Sequence, residues 1–382
     1  MANGTRAKVG LIMTGGGARA AYQVGVLRAI CEFKPPDVRS PFQIICGTSA
    51  GAINAATIAA NASDLKIGVG VLTEVWSNFR AHEVYRADPW GVFSNSARWG
   101  LTLLTGGASL SRPVSLLDNA PLASLLSHYF DPCAIQRAID AGDLTALSVT
   151  CSGYTSGESV TFFEGRQELQ PWQRARRIGI PMPITVDHLL ASSALPFLLP
   201  PVRINREYFG DGSMRQIAPV SPALHLGADR VLVIGVGRQL QQKSARVHTD
   251  THPSLAQIAG HALNSIFLDS LEVDLERLQR INRTLELMPR ELLERSNYPL
   301  HRVDFRVITP SEDLEKLATI HSGELPRTIR LLLHAVGAMR RSGANLLTYV
   351  LFERSYCRAL IDLGYKDTME RKDDLSAFLG WT

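Results

Sequence analysis

The chain has 382 residues, 45% of them apolar and 20% charged, with a formal net charge of +4. That length allows one large or two ordinary domains, and the apolar share suits a packed globular fold and excludes a disordered one. So small a positive excess gives no basis for nucleic-acid binding through charge; weak attraction to an anionic membrane surface is the most it would support.

Taken in chain order, Val9–Met13 reads as a short strand, Thr14-Gly15-Gly16-Gly17-Ala18-Arg19 as a glycine-rich loop, and residues from about Arg19 to Phe33 as a helix. Phe42, Ile44, Ile45 and Cys46 form a second buried-strand pattern that ends at Gly47. Gly47-Thr48-Ser49-Ala50-Gly51 follows, and the small apolar run after it has good helix composition. Residues 84–120, rich in Gly, Ser, Pro and Trp, read as an irregular insertion or lid-like segment. Leu144–Cys151, Ser159–Phe163 and Arg230–Val236 are further strands. From about residue 254 the chain becomes helical, with an apolar stripe at Leu268, Leu271, Leu275, Leu278, Ile281 and Leu285. A strand-like stretch, Val303–Ile308, precedes helices at 313–321 and 325–362. Strands alternating with helices predict an α/β fold, a mainly parallel sheet covered by helices on both faces.

The five cysteines (Cys31, Cys46, Cys133, Cys151, Cys357) are scattered and never paired as C-x-x-C. Neither a disulfide framework nor a zinc site is indicated, and a reducing, cytoplasmic setting is expected. Cys46 and Cys151 read as buried free thiols. No signal-peptide pattern and no run of about 20 apolar residues is visible, so any membrane contact is expected to be peripheral.

The pentapeptide Gly47–Gly51 is a G-x-S-x-G motif between a strand and a helix, the arrangement of a nucleophile elbow. Its sharp turn would hold Ser49 clear of the sheet, with the helix N-terminus aimed at the reacting atoms. Glycines at 47 and 51 fit because a Cβ there would meet neighbouring backbone. The triple glycine at 15–17 leaves N–H groups open to an anion, which for a serine hydrolase is the oxygen of the tetrahedral intermediate. Removing one such donor costs on the order of 10²–10³ in rate. Arg19, one step into the helix, would hold the loop or add positive charge. A dinucleotide site is the competing reading, but the third glycine of that fingerprint is Ala20, and Asp37 follows Lys34-Pro35-Pro36 in a turn where a second strand should end. A phosphate loop is excluded because no Gly-Lys-Ser/Thr follows the glycines.

A nucleophilic serine needs a base. His225, His252, His261, His321 and His334 come late enough in the chain for the usual triad order, but none sits in a distinctive loop after a strand. Asp211 is better placed, in Tyr208-Phe209-Gly210-Asp211-Gly212-Ser213. An Asp–Gly turn is ordinarily a hairpin. An aspartate acts directly on serine only if burial raises its proton affinity or it is held tightly against the hydroxyl.

With these motifs in order, the chain resembles the patatin-like phospholipase family, bacterial type. Gly15-Gly16-Gly17-Ala18-Arg19 resembles its oxyanion loop, Gly47–Gly51 its elbow and Asp211-Gly212-Ser213 its D-G-A/G motif. Ala191-Ser192-Ser193-Ala194-Leu195-Pro196 and Asp118-Asn119-x-Pro121-Leu122 resemble two further family segments. Ala20 and Ser213 depart from the pattern; both are small, and Ser213 adds a hydroxyl beside the acid. The resemblance implies a three-layer α/β/α domain over 8–240, with 250–382 as a helical C-terminal cap or appendage. It also implies a serine lipid acyl hydrolase without metal or cofactor, using a Ser49–Asp211 dyad with no histidine. Gly15, Gly16, Gly17 and Ala50 would form the oxyanion hole, and Arg19, Gly47, Gly51 and Gly212 would support the motifs. The expected partner is a phospholipid or other acyl ester. Headgroup, ester position and oligomeric state are not encoded in any motif. Acyl transfer on the same dyad and a catalytically idle lipid-binding protein are the alternatives. Leu195–Pro201 is expected to be a buried strand or core loop, with substrate contact as the alternative. Trp172-Gln173-Arg174-Ala175-Arg176-Arg177 is expected to be a solvated helix face, with lipid headgroup contact as the alternative.

Overall fold

The computed structural model describes residues 7–86, 115–237, 252, 254–289, 301–335, 337–339 and 343–381. Most of the expected insertion at 84–120 lies outside them. The strands are β1 (Val9–Met13), β2 (Ile44–Thr48), β3 (Ala146–Gly153), β4 (Ser159–Gly165), β5 (Trp172–Arg174), β6 (Arg177–Pro181), β7 (Val202–Ile204), β8 (Glu207–Asp211), β9 (Arg230–Ile234) and β10 (Asp304–Ile308). They form one sheet in the order β10-β9-β1-β2-β3-β4-β6-β5, with β8 also paired to β3 and β7 to β8. The half from β10 to β3 is parallel throughout, while β3–β4, β3–β8, β5–β6 and β7–β8 are antiparallel.

Side chains alternate between faces along a strand. In β1, Leu11 and Met13 enter one core and Ile12 the other; Ile45 against Ile44 and Cys46 does the same in β2, and Leu232 and Ile234 against Val231 and Val233 in β9. Both faces are therefore buried, as continuous apolar strands require.

The helices that matter to the site are α1 (Ala21–Phe33), α2 (Ala50–Ala60), α3 (Leu65–Asn78), α4 (Ala120–Tyr129), α5 (Val186–Ser192), α6 (Ser221–His225), α7 (Leu255–Asn264), α8 (Ser270–Leu287), α9 (Leu314–His321), α10 (Arg327–Ala335), α11 (Ala344–Val350) and α12 (Arg354–Met369). Helices α1, α2, α3 and α12 cover the first face. The second is covered by α6 and by Leu271, Leu275 and Leu278 of α8. The leucine stripe thus packs on the sheet, although Ile281 is 50% exposed and the Leu268 side chain lies outside the described set.

The C-terminal region is built into this frame. Strand β10 extends the sheet beside β9. Helix α12 crosses α1 at a glycine on each side: a Cβ on Gly25 would run into the Ile361 carbonyl, and one on Gly364 into the Tyr22 carbonyl. Tyr22 donates to Asp367 at 2.9 Å across the same contact.

Two expectations are corrected. Among the described residues the stretch 325–362 carries three helices, α10, α11 and the first part of α12. Trp172–Arg177 is a β-hairpin, not a helix: Trp172 sits over Gly179 of β6 and stacks between Phe163 and His225, and Arg176 takes a left-handed turn with φ 57°. Stacking of one aromatic ring outweighed the helical propensity of the arginines. Among the described residues no helix is long and apolar enough to cross a membrane.

Candidate active site

Ser49 stands between the end of β2 and the start of α2, with φ 56° and ψ −134°. A non-glycine residue here is strained and persists only because its surroundings over-determine it. Those surroundings are specific. A Cβ on Gly51 would enter the Met13 and Thr14 carbonyls, so the first turn of α2 rests directly on the end of β1. The Ser49 N–H donates to Ser192 Oγ at 2.8 Å, and that hydroxyl donates to the Thr150 carbonyl at 2.6 Å.

Sheet register brings up the acid. Thr48 lies opposite Thr150 in β3, and the next β3 residue, Cys151, lies opposite Asp211 in β8. The Asp211 N–H donates to the Ala194 carbonyl at 2.9 Å. Close packing of Gly212 onto the Thr150 carbonyl leaves no room for a side chain. Ser49 Oγ then donates to Asp211 Oδ2 at 2.6 Å, while Oδ1 accepts the Ser213 N–H at 2.9 Å. Asp211 is fully buried. Burial pushes its carboxyl up to about 6, against the pull of hydrogen bonds from Ser49 and Ser213. An aspartate so raised is still ionised at neutral pH and is far more basic than an exposed one.

The glycine loop approaches from the other side. A Cβ placed on Gly15 would lie 2.5 Å from Ser213 Oγ and 2.8 Å from Ser49 Cβ, so this glycine forms one wall of the space beside the serine. Gly16 packs on Val236, and Gly17 packs on the Tyr349 carbonyl. The amides of Gly15, Gly16, Gly17 and Ala50 donate to no backbone carbonyl among the described residues.

A buried polar chain holds this loop. Trp76 Nε1 donates to Asn54 Oδ1 at 2.8 Å, Asn54 Nδ2 to Gln23 Oε1 at 2.9 Å, and Gln23 Nε2 to the Thr14 carbonyl at 2.8 Å. Arg19 does not face the serine. Its guanidinium is buried among C-terminal groups, donating to Thr348 Oγ1 at 2.7 Å, Asn345 Oδ1 at 3.2 Å and Asn264 Oδ1 at 3.4 Å, with its carbon 4.1 Å from the centre of the Tyr349 ring. It ties the loop to α7 and α11.

Ser49, Ala50 and Gly17 also border an apolar cavity. Its walls come from α2 (Ile53), α3 (Leu72, Val75, Trp76), α4 (Leu122, Leu126) and the 195–199 loop, and from Phe352. Within Leu195–Pro201, Leu195, Leu198 and Leu199 line the cavity, while Phe197 points outward, 75% exposed. The segment is thus a loop, not a strand, and its leucines join the main core as well as the cavity wall.

None of the five late histidines reaches Ser49 or Asp211. His225 stacks on Trp172, His321 is bonded to Ser355, and His252, His261 and His334 are exposed. Among the described residues no cluster of three or more His, Cys, Asp or Glu is placed to hold a metal ion. Sequence reasoning gave no role to Ser192, Gln23 or Asn54; for Asn54 the available signal was a polar residue inside an otherwise small-apolar helix.

Comparison with known proteins adds the lineage. VipD from Legionella pneumophila is 14% identical over 97% of this chain and 67% of its own, with a TM-score of 0.33. Human GIVD cytosolic phospholipase A2 bound to methyl gamma-linolenyl fluorophosphonate is 14% identical over 98% of this chain, with a TM-score of 0.43. The chain spans 58% of that enzyme's length, and likeness at this level carries no argument about activity. No curated protein matches the sequence. The family model for patatin-like phospholipase, however, matches residues 11–224, more than half of the chain, and the protein belongs to the patatin-like phospholipase family.

Proposed function

We propose that the protein is a serine hydrolase of lipid acyl esters working through a Ser49–Asp211 dyad. Family membership supports lipid acyl hydrolysis in general. The observation that carries the finer reading is the 2.6 Å bond from Ser49 Oγ to a buried Asp211, at the end of an apolar cavity.

In this mechanism an acyl chain lies in the cavity with its ester carbonyl against Ser49. Asp211 takes the hydroxyl proton as Oγ bonds to the carbonyl carbon. The carbonyl oxygen becomes an oxyanion facing the amides of Gly15, Gly16, Gly17 and Ala50, which are stronger partners for it than for the ground-state carbonyl. Collapse breaks the bond to the leaving alcohol, which receives the proton from Asp211, and leaves an acyl ester on Ser49. A water molecule, deprotonated by Asp211, then attacks that ester, releases the fatty acid and returns the proton to Ser49. The cavity walls select for apolar acyl chains by volume and burial, at about 0.8 kcal/mol per methylene.

Hydrolysis of an ester panel by the wild type, Ser49→Ala and Asp211→Asn tests the reading, with products compared in the presence and absence of an acceptor alcohol. Loss of turnover in both variants with the fold retained is expected. Unchanged activity in either one would show the dyad to be misassigned.

A further inference from the structure

The family motif places Gly or Ala after Asp-Gly; this chain places Ser213. The residue is 94% buried, and its Oγ makes no hydrogen bond of normal geometry among the described residues, although it lies close enough to Asp211 to lower its carboxyl. Its backbone N–H is already committed to Asp211 Oδ1. An unpaired buried hydroxyl is uncommon, and one beside a candidate nucleophile calls for an acceptor that arrives with the substrate.

The position of the hydroxyl identifies that acceptor. Ser213 Oγ, Ser49 Cβ and Phe267 Cε1 all lie within 2.8 Å of the point a Gly15 side chain would occupy. These three groups therefore border one niche over the first glycine of the loop. Since the Gly15 amide donates to no backbone carbonyl, the niche is edged by an open N–H and an open O–H. Oxygen bonded to the carbon that Ser49 attacks would develop its charge beside these donors.

We infer that Ser213 Oγ is a further catalytic donor, hydrogen-bonding the oxyanion of the tetrahedral adduct on Ser49 together with the glycine-loop amides. The inference rests on the dyad reading above. A donor without a well-formed bond in the resting enzyme and with one in the transition state lowers the barrier without tightening ground-state binding. The competing role is tuning of the acid, because the same hydroxyl is near enough to Asp211 to pull its carboxyl down.

The test uses the full chain and a soluble short-chain p-nitrophenyl ester, with kcat and KM measured from pH 5 to 9. Ser213→Ala and Ser213→Gly restore residues the family carries, and thermal melts check that both fold. Expected is a fall of about 10²-fold in the plateau kcat with KM and the acid-limb midpoint unmoved. Phosphonylation by an alkyl fluorophosphonate, whose phosphoryl oxygen takes the oxyanion position, should slow by a similar factor. Ser213→Thr, which keeps the hydroxyl, should recover most of the rate. An unchanged plateau overturns the proposal, whether nothing moves or only the acid limb shifts. Ser49→Ala runs beside these: if it remains active the dyad has failed, and if it is dead while Ser213→Ala is fully active only the role of Ser213 has failed.

Discussion

The two halves of the site are built by opposite rules. Around Ser49 and Asp211, backbone register and hydroxyl bonds fix each side chain: Ser192 holds the serine amide, Ala194 holds the aspartate amide, and β2, β3 and β8 set the spacing. The cavity beyond is walled by leucines, valines and aromatic rings from separate helices and loops. Proton transfer demands placement to a fraction of an ångström, whereas an acyl chain demands only apolar volume. The polar half should therefore break all at once when touched, and the apolar half should change its preferences while the chemistry survives.

The largest effect expected is on the polar half. Ser49→Ala or Asp211→Asn should each cost at least about 10³-fold in kcat with every ester alike, since the proposed nucleophile and base would act as a unit. If chain-length preference moved as well, the two halves would be less separable than their construction suggests. Next comes Ile53→Trp, one helical turn from Ser49 and lining the cavity. Hydrolysis of long-chain esters should fall about 10–100-fold, in line with about 0.8 kcal/mol for each methylene shut out, while acetate and butyrate esters keep their rates. Equal losses at every chain length would remove the cavity from the substrate path.

The pH profile probes the polar half more gently. Asp211 must be ionised to accept the serine proton, so activity should rise with pH through a midpoint near 6, about tenfold per unit on the acid side. Stability should run the other way. The folded-state carboxyl is raised from 3.8 to about 6, so its contribution is fully present below 3.8 and is lost as pH rises through 6. At pH 8, Asp211→Asn should therefore be more stable than wild type, by on the order of 3 kcal/mol; a melt showing it less stable would mean the buried charge is better solvated than its burial implies. The smallest effect expected is that of Ser192→Ala, which unpairs the Ser49 amide and the Thr150 carbonyl. A loss of about 1–3 kcal/mol in stability and a several-fold fall in kcat with KM unchanged would mark it as a positioning residue.

Legibility in the sequence divides along the same line. The glycine loop, the elbow and Asp211 announce themselves because each needs particular residues at particular spacings. The strands Val9–Met13 and Arg230–Ile234 are legible because burial on both faces makes them continuously apolar. The cavity is not legible, since any leucine serves as well as another and its walls come from segments far apart in sequence. Trp172 misled because Arg174, Arg176 and Arg177 have helical propensity, while the ring's partners, Phe163 and His225, lie in other elements. Arg19 stands in a recognisable motif, yet its acceptors are set by packing that no local pattern describes.

That arginine also carries a consequence in time. Its acceptors Asn345 and Thr348 lie 326 and 329 residues downstream of it. Synthesis at about 5–20 residues per second separates the two by tens of seconds. Through that interval the cation must remain hydrated, because burying it without its acceptors would be prohibitive. The glycine loop therefore cannot reach its final form on a nascent chain. The loop beside Ser49 is in this way left unfinished until the segment that carries α11 has been made.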